Sequence, residues 1–251
     1  MTANLILHCG GIPATREQIQ AIPLPFKTDT YEPVSHIEIM DTAHEIFEDA
    51  FHLAVRSERY GIVKDGARMF GVLEFEPQDT ADWSICLGIR NSYDKSMSAG
   101  IAVGSIVTVC DNLCFSGDSV TFMRKHTKNV HDDLISLLQS ASTRALEQHQ
   151  ILSNELTSFK QIEVLTDQGY ALVGYMLGNE FITPRQASRA IEYWQQPPHQ
   201  EHEERTLFSW YNALNNALKR TLPDTVMERH FSLHRTAQQF AKQGLSLLGV
   251  K

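Results

Sequence analysis

The spacing of apolar residues changes twice along this chain, and that change restricts the fold more than any other sequence feature. From residue 36 to about residue 56, apolar side chains recur every three or four positions, the period of an amphipathic helix. Between residues 58 and 125 the period is two, which is typical of β-strands. After residue 131 the helical period returns and continues to about residue 247. This order excludes alternating βαβ units and predicts an α+β fold.

Local signals place the first elements. Ser35 and Glu38 have the spacing of a capping box, in which each side chain satisfies the other's backbone N–H at the start of a helix. Asp65-Gly66 separates two strand-like runs and supplies the positive φ angles of a tight primed hairpin turn. We predict an antiparallel β-meander of about four to five strands, packed with the N-terminal helix. Its strands cover residues 60–64, 67–76, 84–90, 101–110 and 119–125.

The rest of the chain is predicted to divide near residue 128. Residues 1–35 are rich in proline, which breaks helices and central strands, so we expect an extended arm there. A mostly helical C-terminal half follows the meander, with one helix beginning at Thr183-Pro184, a cap residue before a first-turn proline. We predict an N-terminal unit of arm, helix and sheet over residues 1–128 and a helical unit over residues 129–251. One continuous domain is the alternative.

Composition and charge exclude several classes of protein. The formal charge of −8 over 251 residues excludes a uniformly basic protein that coats nucleic acid. Four cysteines are too few for a disulfide scaffold and fit a reducing compartment. The first nine residues carry no Lys or Arg, unlike a signal peptide, and no uncharged apolar run approaches about 18 residues. We expect a cytoplasmic protein without membrane attachment.

The acidic charge is uneven, and this points to candidate binding residues. Residues 1–76 carry a net charge of −6, whereas residues 77–128 are neutral overall and hold their charges in polar clusters near strand ends. Because basic and small polar groups suit phosphate, we take these clusters as candidate sites. The candidate nucleic-acid or anion-binding residues are Arg90, Asn91, Ser92, Tyr93, Lys95, Arg124, Lys125, His126 and Lys128. The candidate loop-supporting residues are Asp94, Asp111 and Asn112.

The expectation that carries most weight concerns Arg90 and Lys125. We expect both cations to lie on one concave, accessible surface and to contribute to binding rather than to stability. Asn112, in contrast, is expected to support its loop through buried hydrogen bonds.

Metal and cofactor signatures are absent from the sequence. Glycine-rich phosphate-binding loops and the His-Glu-x-x-His motif do not occur. His230 and His234 have the i, i+4 spacing of zinc ligands, but Phe231 stands where a general-base Glu would be needed. We interpret both as surface histidines of an amphipathic helix. Cys110 and Cys114 lack a second ligand pair. We therefore expect neither a metal nor a cofactor.

Several segments resemble the hallmark segments of a bacterial and phage/plasmid-like family called domain of unknown function 932. They are His8–Gly11, Tyr31–His36, Phe70-Gly71, Arg90–Ser96, Cys110–Gly117, Lys125–Thr127, Trp210–Ala213 and Lys219. The resemblance covers most of the chain. The family has no settled activity and is typical of phages, plasmids and integrated elements, which implies an accessory protein of a mobile genetic element. Tyr93 stands where relatives often carry His, so the resemblance does not support a His general base there.

Two binding functions are open. The order of helix, antiparallel meander and long helix is similar to the core of phage single-strand annealing proteins, which work as oligomeric rings or filaments. This favours single-stranded nucleic-acid binding or annealing by a homo-oligomer. The alternative is a protein-interaction module that engages a host or defence factor through a C-terminal helix pair bearing Phe208, Trp210 and Tyr211.

An enzyme is the third hypothesis. Asp94, Asp111 and Asp118, with Lys95 or Lys125, would supply carboxylates and a cation for metal-dependent cleavage of a phosphodiester. Acidic and basic residues spread over loops often arise by chance, so the sequence leans against an enzyme without deciding the question.

Overall fold

The described residues form an antiparallel sheet and a set of helices. This computed structural model describes residues 11–76, 83–107, 112–115, 121–127, 129–219, 221–222 and 224–249. These residues form the strands β1 (Ile12–Ala14), β2 (Val55–Val63), β3 (Arg68–Phe75), β4 (Trp83–Ser92), β5 (Ala99–Val107), β6 (Asn112–Phe115) and β7 (Thr121–Arg124). They also form the helices α1 (Arg16–Gln20), α2 (His36–Phe51), α3 (Val130–Phe159), α4 (Thr166–Gly178), α5 (Pro184–Gln195), α6 (Leu207–Leu218) and α7 (Val226–Gln243).

The strands form one antiparallel sheet. β2, β3, β4 and β5 each pair with their neighbours in sequence, and β1 extends the edge beside β2. At the other edge, residues 104–107 of β5 pair with β6 and residues 99–102 pair with β7. The predicted α+β meander with an N-terminal helix and a mostly helical C-terminal half is confirmed. The short strands β1 and β6 were not predicted.

The turn between β2 and β3 is of the predicted primed kind. Asp65 and Gly66 have φ angles of 54° and 87°. The N–H of Ala67 donates to the carbonyl of Lys64 at 3.0 Å, which closes the turn. Glycine adopts a positive φ angle without steric cost, and Asp is one of the few other residues that tolerate one. The sequence signal and the backbone therefore agree. The carbonyl of Gly66 faces α2, where it accepts a hydrogen bond from His36.

Helices cover both faces of the sheet. On one face, α2 and the first half of α3 bury side chains such as Phe47 and Leu134 against the strands. On the opposite face, Val226 and Met227 of α7 pack on Phe70 and its neighbours. Because the two faces are covered by different helices, the direction of a strand side chain decides which environment it enters.

A second large core lies among the helices. It contains Trp194 and Trp210, both at most 1% exposed. Helix α3 begins just after the boundary that we predicted near residue 128, and it supplies apolar side chains to both cores. Leu138 belongs to the core at the sheet, whereas Leu152 and Leu156 belong to the helical core.

The start of α2 differs from the prediction. Ser35 is the N-cap residue, but its side chain makes no capping hydrogen bond, so the predicted capping box is wrong. The N–H of His36 instead donates to the hydroxyl of Tyr93 at 2.9 Å. Glu38 is engaged elsewhere, with Oε1 at 2.7 Å from Nδ1 of His131. The loop after β4 thus satisfies one N–H of the first turn of α2, and Glu38 bonds across to α3.

The arm before α2 is less uniform than predicted. Its residues 12–14 pair with β2, and α1 follows at once. Thr15 and Gln18 form the reciprocal capping box of α1. Between α1 and α2 the chain carries only an isolated bridge between Thr28 and Tyr31.

Candidate nucleic-acid interface

Predicted site residues from separate segments meet where β4 ends beside the start of α2. We call this cluster the motif corner, and it consists of Tyr31, His36, Asn91, Tyr93 and His126, none more than 9% exposed. Asn91 Nδ2 donates to the carbonyl of Val34 at 2.8 Å. The hydroxyl of Tyr31 donates to the carbonyl of Tyr93 at 3.2 Å. The N–H of Val34 donates to Nδ1 of His126 at 3.4 Å. These bonds hold the arm, the loop after β4 and the segment after β7 together.

His36 lies at the centre of the motif corner and is neutral. Its ring stacks on Tyr93 with the centroids 3.8 Å apart and the planes 4° from parallel. Nε2 donates to the carbonyl of Gly66 at 2.8 Å, which fixes the tautomer and leaves Nδ1 without a hydrogen bond in the described part of the chain. Burial lowers the pKa of His36 to about 4. A proton on Nδ1 would be a buried charge without a partner.

Stability is expected to fall when the pH drops below 6.5. Burial lowers the pKa values of His36, His149 and His202 to about 4, and it lowers the pKa of His126 as well. The folded protein therefore binds fewer protons than the unfolded chain between about pH 6.5 and about pH 4. Each such histidine contributes a slope of up to about 1.4 kcal/mol per pH unit.

Urea denaturation at several pH values measures this effect. The free energy of unfolding should decrease steadily between about pH 6.5 and about pH 4.5, above the range in which most carboxylates titrate. A constant free energy of unfolding across that interval would contradict the assignment of neutral, buried histidines.

A cavity of about 390 Å³ opens beside the motif corner. We call it the lysine pocket, and its lining residues are Thr30, Tyr31, Lys95, Ser96, Met97, Ser98, Lys125 and His126. The ammonium of Lys95 lies 4.4 Å from the centroid of the Tyr31 ring, a cation–π distance. Lys95 also has a φ angle of 61°, an uncommon backbone conformation for a non-glycine residue. Lys95, Lys125 and His126 were all predicted site residues, and the pocket brings them together.

Arg90 does not join them. It pairs across the sheet with Phe70 and therefore points to the face that α7 covers. Its Nη1 lies 2.7 and 2.8 Å from the two carboxylate oxygens of Glu228 and 3.3 Å from the carbonyl of Asp224. Arg90 is 4% exposed. The expectation that Arg90 shares one accessible surface with Lys125 is wrong, because the alternation of β4 turns its buried guanidinium toward Glu228 on the face that α7 covers.

Asp94 holds its own loop. Oδ1 accepts from the N–H of Ser96 at 3.1 Å, and Oδ2 lies 2.8 Å from Nε of Arg68 and 3.3 Å from Nζ of Lys64. Burial opposes ionisation, but the hydrogen bonds from Ser96, Arg68 and Lys64 outweigh it and hold the pKa of Asp94 well below its usual range. This carboxylate is fully engaged in supporting the loop that presents Lys95.

Asn91, Ser92 and Tyr93 support the same loop from inside. Asn91 and Ser92 are 0% exposed. The Ser92 hydroxyl donates to the carbonyl of Met97 at 2.8 Å and accepts from its N–H at 3.2 Å. The ring of Tyr93 is covered by His36. These three residues support the loop that lines the lysine pocket, and at no more than 9% exposure they are not themselves open to a ligand.

The remaining predicted residues are described only in part. Asn112 begins β6 and Arg124 ends β7, and for both the structure describes the backbone. Asp111, Asp118 and Lys128 lie outside the described residues. Thr30 and Tyr31 line the pocket but were absent from the predicted site. The Tyr31–His36 segment of the family resemblance was the signal that could have identified Tyr31.

Two other expectations about exposure are wrong. Phe208, Trp210 and Tyr211 are 5%, 0% and 0% exposed and form part of the helical core, so they offer no surface to a protein partner. His230 and His234 are 0% and 1% exposed rather than on the surface.

The described residues contain neither a group of three metal-ligating side chains nor a helix long and apolar enough to cross a bilayer.

Comparison with known proteins identifies the family. The model of the family described as domain of unknown function (DUF932) matches residues 23–245, which include the motif corner, the lysine pocket and most of the helical core. No curated protein and no solved structure matches the chain. Since the match covers most of the sequence, the chain belongs to the DUF932 family.

Proposed function

We propose that the protein binds single-stranded nucleic acid, with the lysine pocket holding backbone phosphates. One observation carries the proposal. Lys95, which follows β4, and Lys125, which follows β7, line the same open cavity. Hydroxyl groups of Thr30, Ser96 and Ser98 line it as well and can donate to phosphate oxygens. No acidic residue is among the described lining residues.

The chemistry of the pocket favours binding of the backbone over reading of bases. The Tyr31 ring is 5% exposed and lies under Lys95, and the Tyr93 ring is covered by His36. Neither ring has a free face on which a base could stack. We therefore expect binding that depends strongly on salt and little on base sequence.

Two lysines in one pocket give weak binding, and this favours an assembly. Each phosphate contact contributes a modest, salt-dependent share of the affinity. A homo-oligomer that lines up several lysine pockets along one strand would raise the overall affinity through multivalency. We propose an oligomer of this kind, acting in single-strand binding or annealing for a mobile genetic element.

Fluorescence anisotropy with a labelled single-stranded DNA tests the proposal. The double variant Lys95→Gln/Lys125→Gln should bind about tenfold more weakly at about 50 mM salt. The plot of log affinity against log salt should become less steep by about 1.4, since two phosphate contacts are lost. Both lysines are exposed, so the variant should fold normally.

The matched control is Arg235→Gln/Lys242→Gln, which removes two exposed cations of α7 at a distance in sequence from the lysine pocket. Its affinity should stay within about twofold of the wild type. Absence of binding by the wild type at low salt, or an equal loss in both double variants, would contradict the proposal.

A further inference from the structure

A second basic cavity, which the sequence did not indicate, lies in the helical half. It has a volume of about 310 Å³ and lies between the first turns of α5, the end of α6 and the start of α7. Arg185, Arg189, Lys219 and Arg229 line it. We call it the arginine pocket. None of its lining residues belongs to the lysine pocket.

Gln186 gives the arginine pocket a rigid frame. Its Oε1 accepts from the N–H and the hydroxyl of Thr183 at 2.9 and 3.1 Å, and its Nε2 donates to the hydroxyl of Thr221 at 3.0 Å. Nη1 of Arg229 donates to the carbonyl of Phe181 at 2.7 Å and lies 3.4 Å from Oε1 of Gln186. The Arg229 guanidinium is thus held in place by the pocket itself, which lowers the entropy that a ligand must remove.

Three arginines of the arginine pocket have no counterion within the residues that the structure describes. Arg185, Arg189 and Arg229 form no ion pair within the described part of the chain, and no described lining residue is acidic. Arg185 lies in the first turn of α5, where the positive end of the helix dipole favours negative charge, and that turn contains no acidic residue. Arg185 therefore places a positive charge at an unfavourable position, close to two further arginines, in a protein whose formal charge is −8.

The lining also indicates which kind of anion would suit the arginine pocket. Its apolar members are Ala217 and Leu222, and no aromatic side chain is among the lining residues, so a stacked base has no platform. One guanidinium group can donate two parallel hydrogen bonds to the oxygens of a phosphate. The hydroxyls of Thr221 and Thr225 add further polar groups. We propose that the arginine pocket binds a compact, multiply charged phosphate anion. This site is separate from the one proposed for nucleic acid.

Isothermal titration of the full chain with pyrophosphate tests this inference. The double variant Arg185→Gln/Arg189→Gln removes an exposed and a half-buried arginine that make no hydrogen bond within the described residues, so its fold should be unchanged. We expect its dissociation constant for pyrophosphate to rise by at least about tenfold. The control Arg144→Gln/Arg235→Gln removes two exposed arginines of α3 and α7 and should stay within about twofold.

Further arms separate a free phosphate anion from nucleic acid. The Lys95→Gln/Lys125→Gln variant should keep the wild-type affinity for pyrophosphate, whether or not it binds DNA. A single-stranded DNA without terminal phosphate groups should not displace pyrophosphate. The inference is overturned if the wild type does not bind pyrophosphate at about 50 mM salt, if both arginine variants lose affinity equally, or if the DNA competes.

Discussion

Replacing Gly169 with Ala should lower the free energy of unfolding by about 3 kcal/mol, as overpacking of a rigid core does. A Cβ at this position would lie 2.5 Å from Cε2 and 3.0 Å from Cζ2 of Trp194. The indole cannot retreat, because Trp194 is 1% exposed and the guanidinium of Arg205 lies 4.5 Å from the centroid of its ring. The carbonyl of Gly169 also accepts from Nε1 of Trp210 at 3.1 Å, so a backbone shift would disturb a second indole.

Gly174 provides the matched control within the same helix. A Cβ there meets no atom within 4 Å. Gly174→Ala should therefore stabilise the protein by about 0.5–1 kcal/mol, since alanine loses less backbone entropy in a helix than glycine. Urea denaturation of both variants measures the difference. If the two substitutions change stability in the same direction, the close packing of α4 against Trp194 is not as described.

Arg90→Ala should lower the free energy of unfolding by about 2–3 kcal/mol. When one partner of an ion pair is removed and the other charge stays buried, the free energy of unfolding falls by about 3–5 kcal/mol. The side chain of Glu228 is 48% exposed and can regain water, so we expect a value below that range. Lys125→Ala, which removes an exposed cation, should change stability by less than about 0.5 kcal/mol.

A double-mutant cycle with Glu228→Ala isolates the ion pair. If Arg90 and Glu228 stabilise the packing of α7 on the sheet, the double variant should lose less stability than the two single variants together. Equal melting temperatures for the Arg90 and Lys125 variants would show that the two cations play the same role after all. The same measurements thus test the division between a structural arginine and a lysine that is open to a ligand.

Local signals predicted the main elements of the fold because they depend on neighbours in sequence. The primed turn at Asp65-Gly66 and the start of α5 at Thr183 both formed as expected, the latter with a reciprocal bond to Gln186. The capping box at Ser35 did not form: Glu38 is paired with His131, and Tyr93, more than fifty positions away, accepts from the N–H of His36 in the first turn. A tertiary contact replaced the local one, and no spacing rule could have shown that.

The role of Arg90 depended on the same kind of distant information. Its place in β4 fixes which face of the sheet it occupies, but not which helix covers that face. Glu228 lies 138 residues further along the chain. For Tyr211 and Trp210, in contrast, a signal was available. Residues 207–218 contain no charged side chain, which is typical of a helix buried on all sides, and all twelve are buried.

The length of α3 has a mechanical consequence. Its 30 residues extend for about 45 Å and enter both hydrophobic interiors along one unbroken hydrogen-bond ladder. Leu138 packs this helix against the sheet, and Leu156 packs the same helix in the helical core. Because one helix supplies side chains to both cores, we expect a change in the tilt of α3 at the sheet to alter the packing of the helical core as well.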